Sequence, residues 1–443
     1  MKIKKQLNDL NSSVKYIFLI VILGVIIGCN VIPTHDPKRN YSSIEKSLLS
    51  EMLLAKDSTV IQLEEGHFIF KNSLILDNKK NITLRGRGID KTVLSFKIQE
   101  NGSEGLKITN SQNIVLEDFT IEDAAGDNIK VTDTKGIIFR RIKSAWTGKV
   151  DEKNGSYALY PVVCENVLIE ACEVLGASDA GIYVGQSKNV IIRNNKVYWN
   201  VAGIESENSE NVAIYDNKAY NNSGGILVFD LPGFTCYGRK IKVYNNDVHD
   251  NNLINFATPG NIVGAVSPGT GIMILATREV EIYDNRLINN NTIEMATVSY
   301  LLIQMMKGQE SQRENDLVST APSFEYTIDP NFNPYPGAIY IHDNEYGEVS
   351  WLPNLSNDFG KLTFWKFGFD RPQIIWDGME SENYLFSNGS LNTNYAICIQ
   401  EVGVKTAILD VANDFEGLVI DPGSFNCEPV SYTHLTLPTN REV

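Results

Sequence analysis

The stretch "GIYVGQSKNVIIRNNKVYWNVAGIESENSENVAIYDN", residues 181–217, states one pattern twice. Gly181, Ile182, Asn189 and Asn195 recur 22 residues on as Gly203, Ile204, Asn211 and Asn217. A short fixed period constrains a chain strongly, because one unit cannot bury its apolar face alone and must stack on its neighbours. The pair belongs to a longer series: "NITLRG", "NIVLED", "GIIFRR", "NVLIEA", "NVIIRN", "NVAIYD", "KIKVYN" and "EVEIYD", starting at residues 81, 113, 136, 166, 189, 211, 240 and 279. The closest starts, 22 and 23 residues apart, show the bare unit. Wider gaps imply loops inserted at fixed corners.

Leucine-rich repeats share this period but need a leucine consensus, and this chain uses Ile, Val and Asn. Three short strands per coil, joined by tight bends, fit an all-β fold: a right-handed single-stranded parallel β-helix, or solenoid. Each strand should alternate Ile or Val inward with mostly polar residues outward. Asn195, Asn217, Asn246 and Asn285 fall in one column after a strand. Asparagine tolerates the left-handed conformation of a sharp bend, and stacked amides can bond coil to coil as a ladder. Open ends need covers. "SIEKSLLSEMLLA", residues 43–55, has helical spacing suited to an N-terminal cap, and the first coil follows it. "ATVSYLLIQMMKG" reads as a strand or a short helix, and residues 310–335 as a long loop. The expected boundaries are 1–29 leader, 30–56 tether and N-terminal cap, 57–349 β-helix, 350–429 a less regular C-terminal capping region, and 430–443 a tail. That tail, beginning "SYTHLTLPT" after Val430, reads as non-native read-through.

Lys2, Lys4 and Lys5 precede an apolar run, "YIFLIVILGVIIG", too short for a membrane span of roughly 20 residues. It ends in Ile26, Ile27, Gly28 and Cys29, which resemble a bacterial lipobox. The expectation is an exported protein, lipidated at Cys29 and anchored in the cell envelope on the periplasmic or outer-membrane face. The formal net charge of −15 argues against a nucleic-acid partner. A local basic groove for a polyanion stays open. Protein partners cannot be read from the sequence. Among Cys164, Cys172, Cys236, Cys398 and Cys427 no CxxC pair exists, so a zinc cage is unsupported. Cys398 with Cys427 is the first disulfide to expect, and five cysteines leave at least one unpaired.

From about residue 63 to 300 the chain resembles the pectin-lyase-like superfamily, and more narrowly the exported bacterial right-handed parallel β-helix repeat proteins in lipoprotein form. The residues that carry this are "NITLRGRGIDKTVLSF", "YPVVCENVLIE", "GASDAGIYVGQSKNV", "VAGIESENS" and "GGILVFDLPG". The resemblance implies the fold strongly and the chemistry weakly, since the superfamily holds polysaccharide lyases, hydrolases and uronate C5-epimerases. Alginate epimerases of this fold carry a Tyr-Gly-x-Asp-Pro-His-Asp-like motif. In "SYALYPVVCE" Tyr157 and Pro161 match it, but Tyr160 and Val162 stand where its Asp and His would be. The acid–base pair of that motif is therefore missing.

The repeat serves as a ruler. Coils align on the inward residues Ile129, Leu159, Ile182, Ile204, Ile226 and Ile272. The next position faces out, giving Lys130, Tyr160, Tyr183, Glu205, Leu227 and Met273. Lys130, Tyr160, Tyr183 and Glu205 are the candidate catalytic set, with a Tyr moving the C5 proton of a uronate and Lys130 neutralising its carboxylate. Asp127, Tyr157, Asp179, Glu207, Asp230 and His249 are candidate substrate-binding residues. The long insertions after Asp230 and His249-Asp250 could wall a groove. Asp179, Glu205 and Glu207 could also hold Ca²⁺; no other cofactor is indicated. The expected function is binding, with lyase or epimerase-type modification, of an extracellular acidic polysaccharide. The alternative is a non-catalytic carbohydrate-binding or envelope scaffold.

Overall fold

The computed structural model describes residues 32–311 and 329–427. Cys29 and the tail from residue 430 lie outside them. Each coil carries three strands. Ala180–Gly185, Lys188–Arg193 and Lys196–Tyr198 are followed 22 residues later by Ala202–Glu207, Glu210–Tyr215 and Lys218–Tyr220. Every strand pairs in parallel with its counterpart one coil on. The register matches the sequence ruler: Ile129 faces Leu159, then Ile182, Ile204, Ile226 and Ile272 in turn. All six are fully buried. Each such burial contributes roughly 1.5–3 kcal/mol, and a slip of one residue would forfeit the whole column.

The corners explain the asparagines, with one change from expectation. The left-handed residues are Asn194, Asp216, Asn245 and Asp284, at φ of 52–56°, each one position before the ladder. Asn195, Asn217, Asn246 and Asn285 instead turn their amides inward. The Asn217 Oδ1 accepts from the Asn195 backbone N–H (3.1 Å) and Nδ2 (2.9 Å), and the Asn217 Nδ2 donates to Asn246 Oδ1 (3.0 Å) and Ile192 O (2.9 Å). A second ladder, five residues further along each coil, runs Asn200, Asn222, Asn251, Asn290 with the same bonding. Both close on carboxylates. Glu294 takes the Asn290 N–H and Nδ2, and Glu401 takes those of Asn344, the rung after Asn285.

Parallel pairing continues past residue 349, the expected end of the solenoid. Gly337–His342 pairs with Ile397–Gln400, and Ile293–Val298 with Ile374–Trp376, which pairs with Thr406–Ile408. The final Val419–Ile420 turns antiparallel. The segment after the Ile293–Val298 strand is a helix, Tyr300–Ser311, so both readings of that stretch apply to successive parts of it. The Glu45–Leu54 helix places Leu48 and Met52 in the main core cluster. The expected tether is docked from residue 34 on. Thr34–His35 pairs with Gly148–Lys149, and Arg39 and Tyr41 both bond Glu122. Cys398 and Cys427 form a disulfide; Cys164, Cys172 and Cys236 are free.

One sheet departs from the expected inward–outward alternation. Ala180–Gly185, Ala202–Glu207, Gly224–Phe229, Thr270–Leu275 and Ile293–Val298 are buried at every position. Strands of the neighbouring sheet, such as Lys188–Arg193, keep exposed or half-buried outward residues. Sheets buried on both faces read as continuous apolar runs, as "GGILVF" does. "AGIESE" does not, and that conflict marks the site.

The ladder makes a quantitative expectation. Asn222→Ala removes the amide that bonds Asn200 and Val197 O on one neighbouring coil and Asn251 on the other, and should cost roughly 2–4 kcal/mol in urea unfolding. Asn166→Ala, which removes one bond from the half-buried outer pair with Asn189, should cost under about 1 kcal/mol. Equal effects would show the inner ladder to be dispensable.

Candidate functional site: a buried tyrosine and carboxyl cluster

Consecutive coils set Lys130, Tyr160, Tyr183, Glu205 and Leu227 side by side on the outer face of the doubly buried sheet. Tyr157, Tyr160 and Tyr183 pack together, with ring centroids 4.4, 4.6 and 4.9 Å apart. The Tyr183 hydroxyl donates to Glu207 Oε1 at 2.7 Å, and Tyr157 lies beside Asp179. Lys130 sits at the rim. Its Nζ lies 3.6 Å from Asp127 Oδ2 and 4.7 Å from the centre of the Tyr160 ring. Glu205 is 2% exposed, and its Oε2 has no hydrogen-bond partner.

Eight of the ten candidates therefore meet: Asp127, Lys130, Tyr157, Tyr160, Asp179, Tyr183, Glu205 and Glu207. Asp230 stands just beyond, in sequence next to Phe229, which faces Glu207. Its carboxylate accepts the Gly238 N–H (2.8 and 2.9 Å), so it closes the first insertion on itself. His249 is elsewhere. It stacks on Tyr220 at 5.3 Å in the neighbouring sheet and bonds the adjacent Asp250. Period counting placed it beside an insertion in sequence, but its strand belongs to a different side of the coil.

The expected open groove is covered. The second insertion, residues 252–268, begins at the corner of the Thr270–Leu275 coil and reaches back to Glu152, whose carbonyl accepts from Thr258 Oγ1. On the way, Asn261 Nδ2 donates to Asp179 Oδ2 at 2.8 Å. Val263 and Val266 are buried, and the Ile262–Ala265 turn packs against the Tyr300–Ser311 helix. This strap has no ladder to the sheet; Asn255 braces it internally by bonds to Val263 O and Val266 O. Asn261 was not foreseen, because a single polar residue in an irregular insertion carries no periodic signal. A cleft of about 480 Å³ lined by Leu301, Gln304, Met305, Tyr335, Met379, Glu380 and Ala412 opens elsewhere, and no cluster residue lines it.

Burial governs the electrostatics. Desolvation, the largest cause, lifts Asp179, Glu205 and Glu207 above the usual carboxylate range; the Glu207 charge adds to the rise at Asp179, and Asp179 and Glu207 both act on Glu205. Burial lifts Asp127 to about 6 against the pull of Lys130. The same desolvation, backed by the neighbouring carboxyls, raises the Tyr157, Tyr160 and Tyr183 phenols. Among the described residues no group of three His, Cys, Asp or Glu is placed to hold a metal ion, Asp179, Glu205 and Glu207 included.

The chain belongs to the right-handed β-helix family, whose model, "Right handed beta helix region", matches residues 58–230 and 152–303. No curated protein matches it in sequence. Among solved structures it is similar to a DFA-IIIase from Arthrobacter chlorophenolicus A6 in complex with GF2, at 10% identity and a TM-score of 0.50, covering 84% of this chain and 90% of that one. It is also similar to the A-module of a mannuronan C-5 epimerase from Azotobacter vinelandii, at 13% identity and a TM-score of 0.49, covering 82% and 90%. At such identities the likeness concerns the fold.

Two expectations follow. Raised carboxyls mean the folded chain binds more protons than the unfolded one above about pH 4, so their contribution to stability falls as pH rises through the raised values. Glu205→Gln, uncharged throughout, should unfold in urea roughly 1–3 kcal/mol later than the parent at about pH 8 and close to it at about pH 5; parallel pH slopes would clear Glu205 of that role. The strap can be tested separately. A Cβ at Gly224 would lie 3.0 Å from Val266 Cγ1. A Gly224→Cys/Val266→Cys disulfide should cut carbodiimide labelling of Glu205 and Glu207 about tenfold, reversibly with reductant. Unchanged labelling would mean that the strap is not the door.

Proposed function

We propose that this is a polysaccharide-acting β-helix protein in which the buried carboxyl cluster performs general acid–base work on a glycosidic bond. The carrying observation is the pairing of Asp179 and Glu207 in one desolvated cluster. Glu207 is held by the Tyr183 hydroxyl and Asp179 by the Asn261 amide, and each is lifted out of the usual carboxylate range. A carboxyl that keeps its proton near neutral pH can protonate a leaving oxygen, and a second one can activate water or attack the sugar. Glu205 lies within the same cluster with one oxygen free for a substrate hydroxyl or amine. Tyr183 holds Glu207 in place, and the three rings give an apolar wall for a sugar face. A glycan reaches them once Asn261 leaves Asp179 and the strap lifts.

Two observations weigh against the uronate elimination expected from the residue types. The phenols are raised, so phenolate, the form that would abstract a C5 proton, is scarce. Lys130 is already engaged by Asp127 and the Tyr160 ring. The non-catalytic reading draws support from the closure of the face, with Asp179, Glu205 and Glu207 at most 7% exposed. Export and lipid anchoring at Cys29 belong to this proposal through the basic and apolar leader alone. Cys29→Ser is expected to move the protein from the membrane to the soluble fraction.

The activity test uses the full chain with a panel of neutral, amino and uronic polysaccharides. New reducing ends without ultraviolet-absorbing unsaturated ends are expected. Glu207→Gln should slow their release at least about 100-fold while the protein still folds. Unsaturated ends would restore the elimination reading, and binding without any product would favour the scaffold.

A further inference from the structure

Resting on the reading of the cluster as a glycan site, we propose that its preferred sugar carries a free amine: the site is built for the ammonium of a hexosamine unit. Three features of the cluster converge on this. The first is an unfilled acceptor. Asp179 is bonded by Asn261, and Glu207 by Tyr183, but Glu205 Oε2 is buried beside both with no donor. A buried carboxylate oxygen left unpaired costs roughly 1–3 kcal/mol, which a ligand donor would recover.

The second is the charge balance. Among the described residues no lysine, arginine or histidine forms an ion pair with Asp179, Glu205 or Glu207. Lys130, at the rim, is paired with Asp127 at 3.6 Å. A uronate carboxylate entering here would meet three acid groups and no free cation, so it would lose its water without gaining a partner for its charge. A neutral hydroxyl would satisfy Glu205 without using the surrounding field. An ammonium would use both.

The third is the aromatic wall. Rings of Tyr157, Tyr160 and Tyr183 stand 4.4–4.9 Å apart around the acids, and the Lys130 ammonium over Tyr160 shows that one of these rings already receives a cation. Aromatic faces beside carboxylates are a recurrent receptor for ammonium groups. Proton balance is also favourable. If the amine arrives neutral, the proton held by a buried carboxyl passes from its oxygen to the amine nitrogen. The ion pair then forms with no net proton taken from water.

The test measures binding of the intact protein by calorimetry to three probes of matched length: β-1,4-linked glucosamine oligomers, their fully N-acetylated counterparts, and oligogalacturonate. Acetylation removes the charge from the same ring. The amine form is expected to bind at least about tenfold more tightly than either of the others. Glu205→Gln should weaken the amine form more than the N-acetylated oligomer and so reduce that preference to under about threefold. Tyr160→Leu, at a half-buried position, should erode the preference as well and covers the case in which the first variant misfolds. Equal binding of the acetylated oligomer, or tighter binding of the uronate, overturns ammonium recognition and leaves the glycan site standing. A preference that survives in both variants assigns it to the protein's general negative charge and overturns it too. Binding of none of the three, with the strap unlocked, overturns the glycan site and this inference together.

Discussion

The structure depends on one constraint: each coil's corner leaves backbone N–H groups pointing into an interior without water. A buried donor without a partner costs about as much as several favourable bonds return. Here the partner is a side-chain amide from the next coil. Asn217 Oδ1 serves the backbone and side chain of Asn195, and Asn222 Oδ1 does the same for Asn200. Each rung therefore needs the next, and the bonds polarise one another along the stack. The ends obey the same need. Where there is no further asparagine, Glu294 and Glu401 supply the accepting oxygens. Glu294, pushed up by burial to about 7, is the chemical consequence of ending a ladder inside the protein.

With the inner columns committed to the core and the corners to the ladders, variety can enter only at outward positions and in insertions. On most of the coil those positions meet water and read as an ordinary polar surface, including the stacked Tyr215, Tyr244 and Tyr283 rings that track the inter-coil spacing. On one sheet they do not. There the strap covers the outer face as the core covers the inner one, and acids that would be unremarkable on a surface become an electrostatic device. Desolvation, rather than any special residue type, separates Glu205 from Glu210, only five residues along the chain: Glu210 is drawn below its usual range by Arg239 in a wetter setting.

Much of this was legible. The inward column predicted from a 22-residue period is the observed register, residue for residue, because parallel pairing and a strict alternation leave no slack. The first asparagine ladder was legible for the same reason. The second was visible in principle, since Asn200, Asn222, Asn251 and Asn290 trail the first by five residues throughout. The continuation past residue 349 was not, because strands of three or four residues such as Ile374–Trp376 and Ile397–Gln400 carry too little periodicity to register. Nor was the docking of residues 34–42, which rests on Glu122 accepting Arg39 and Tyr41 across a distance no local pattern spans.

For the site, the sequence by itself determined which residues are neighbours: the order Lys130, Tyr160, Tyr183, Glu205 on one face follows from the period alone. Only the tertiary structure decided what surrounds them. Whether Glu205 is a solvated surface acid or a buried one depends on where residues 252–268 fold back, and an insertion without a repeat has no register to read. His249 shows the other side of that limit, being near an insertion in sequence yet on another side of the coil. The physical reason is the same in both cases. Backbone pairing is set locally by alternation and period, while burial, and with it the proton affinity of a carboxyl, is set by whichever distant segment excludes the water.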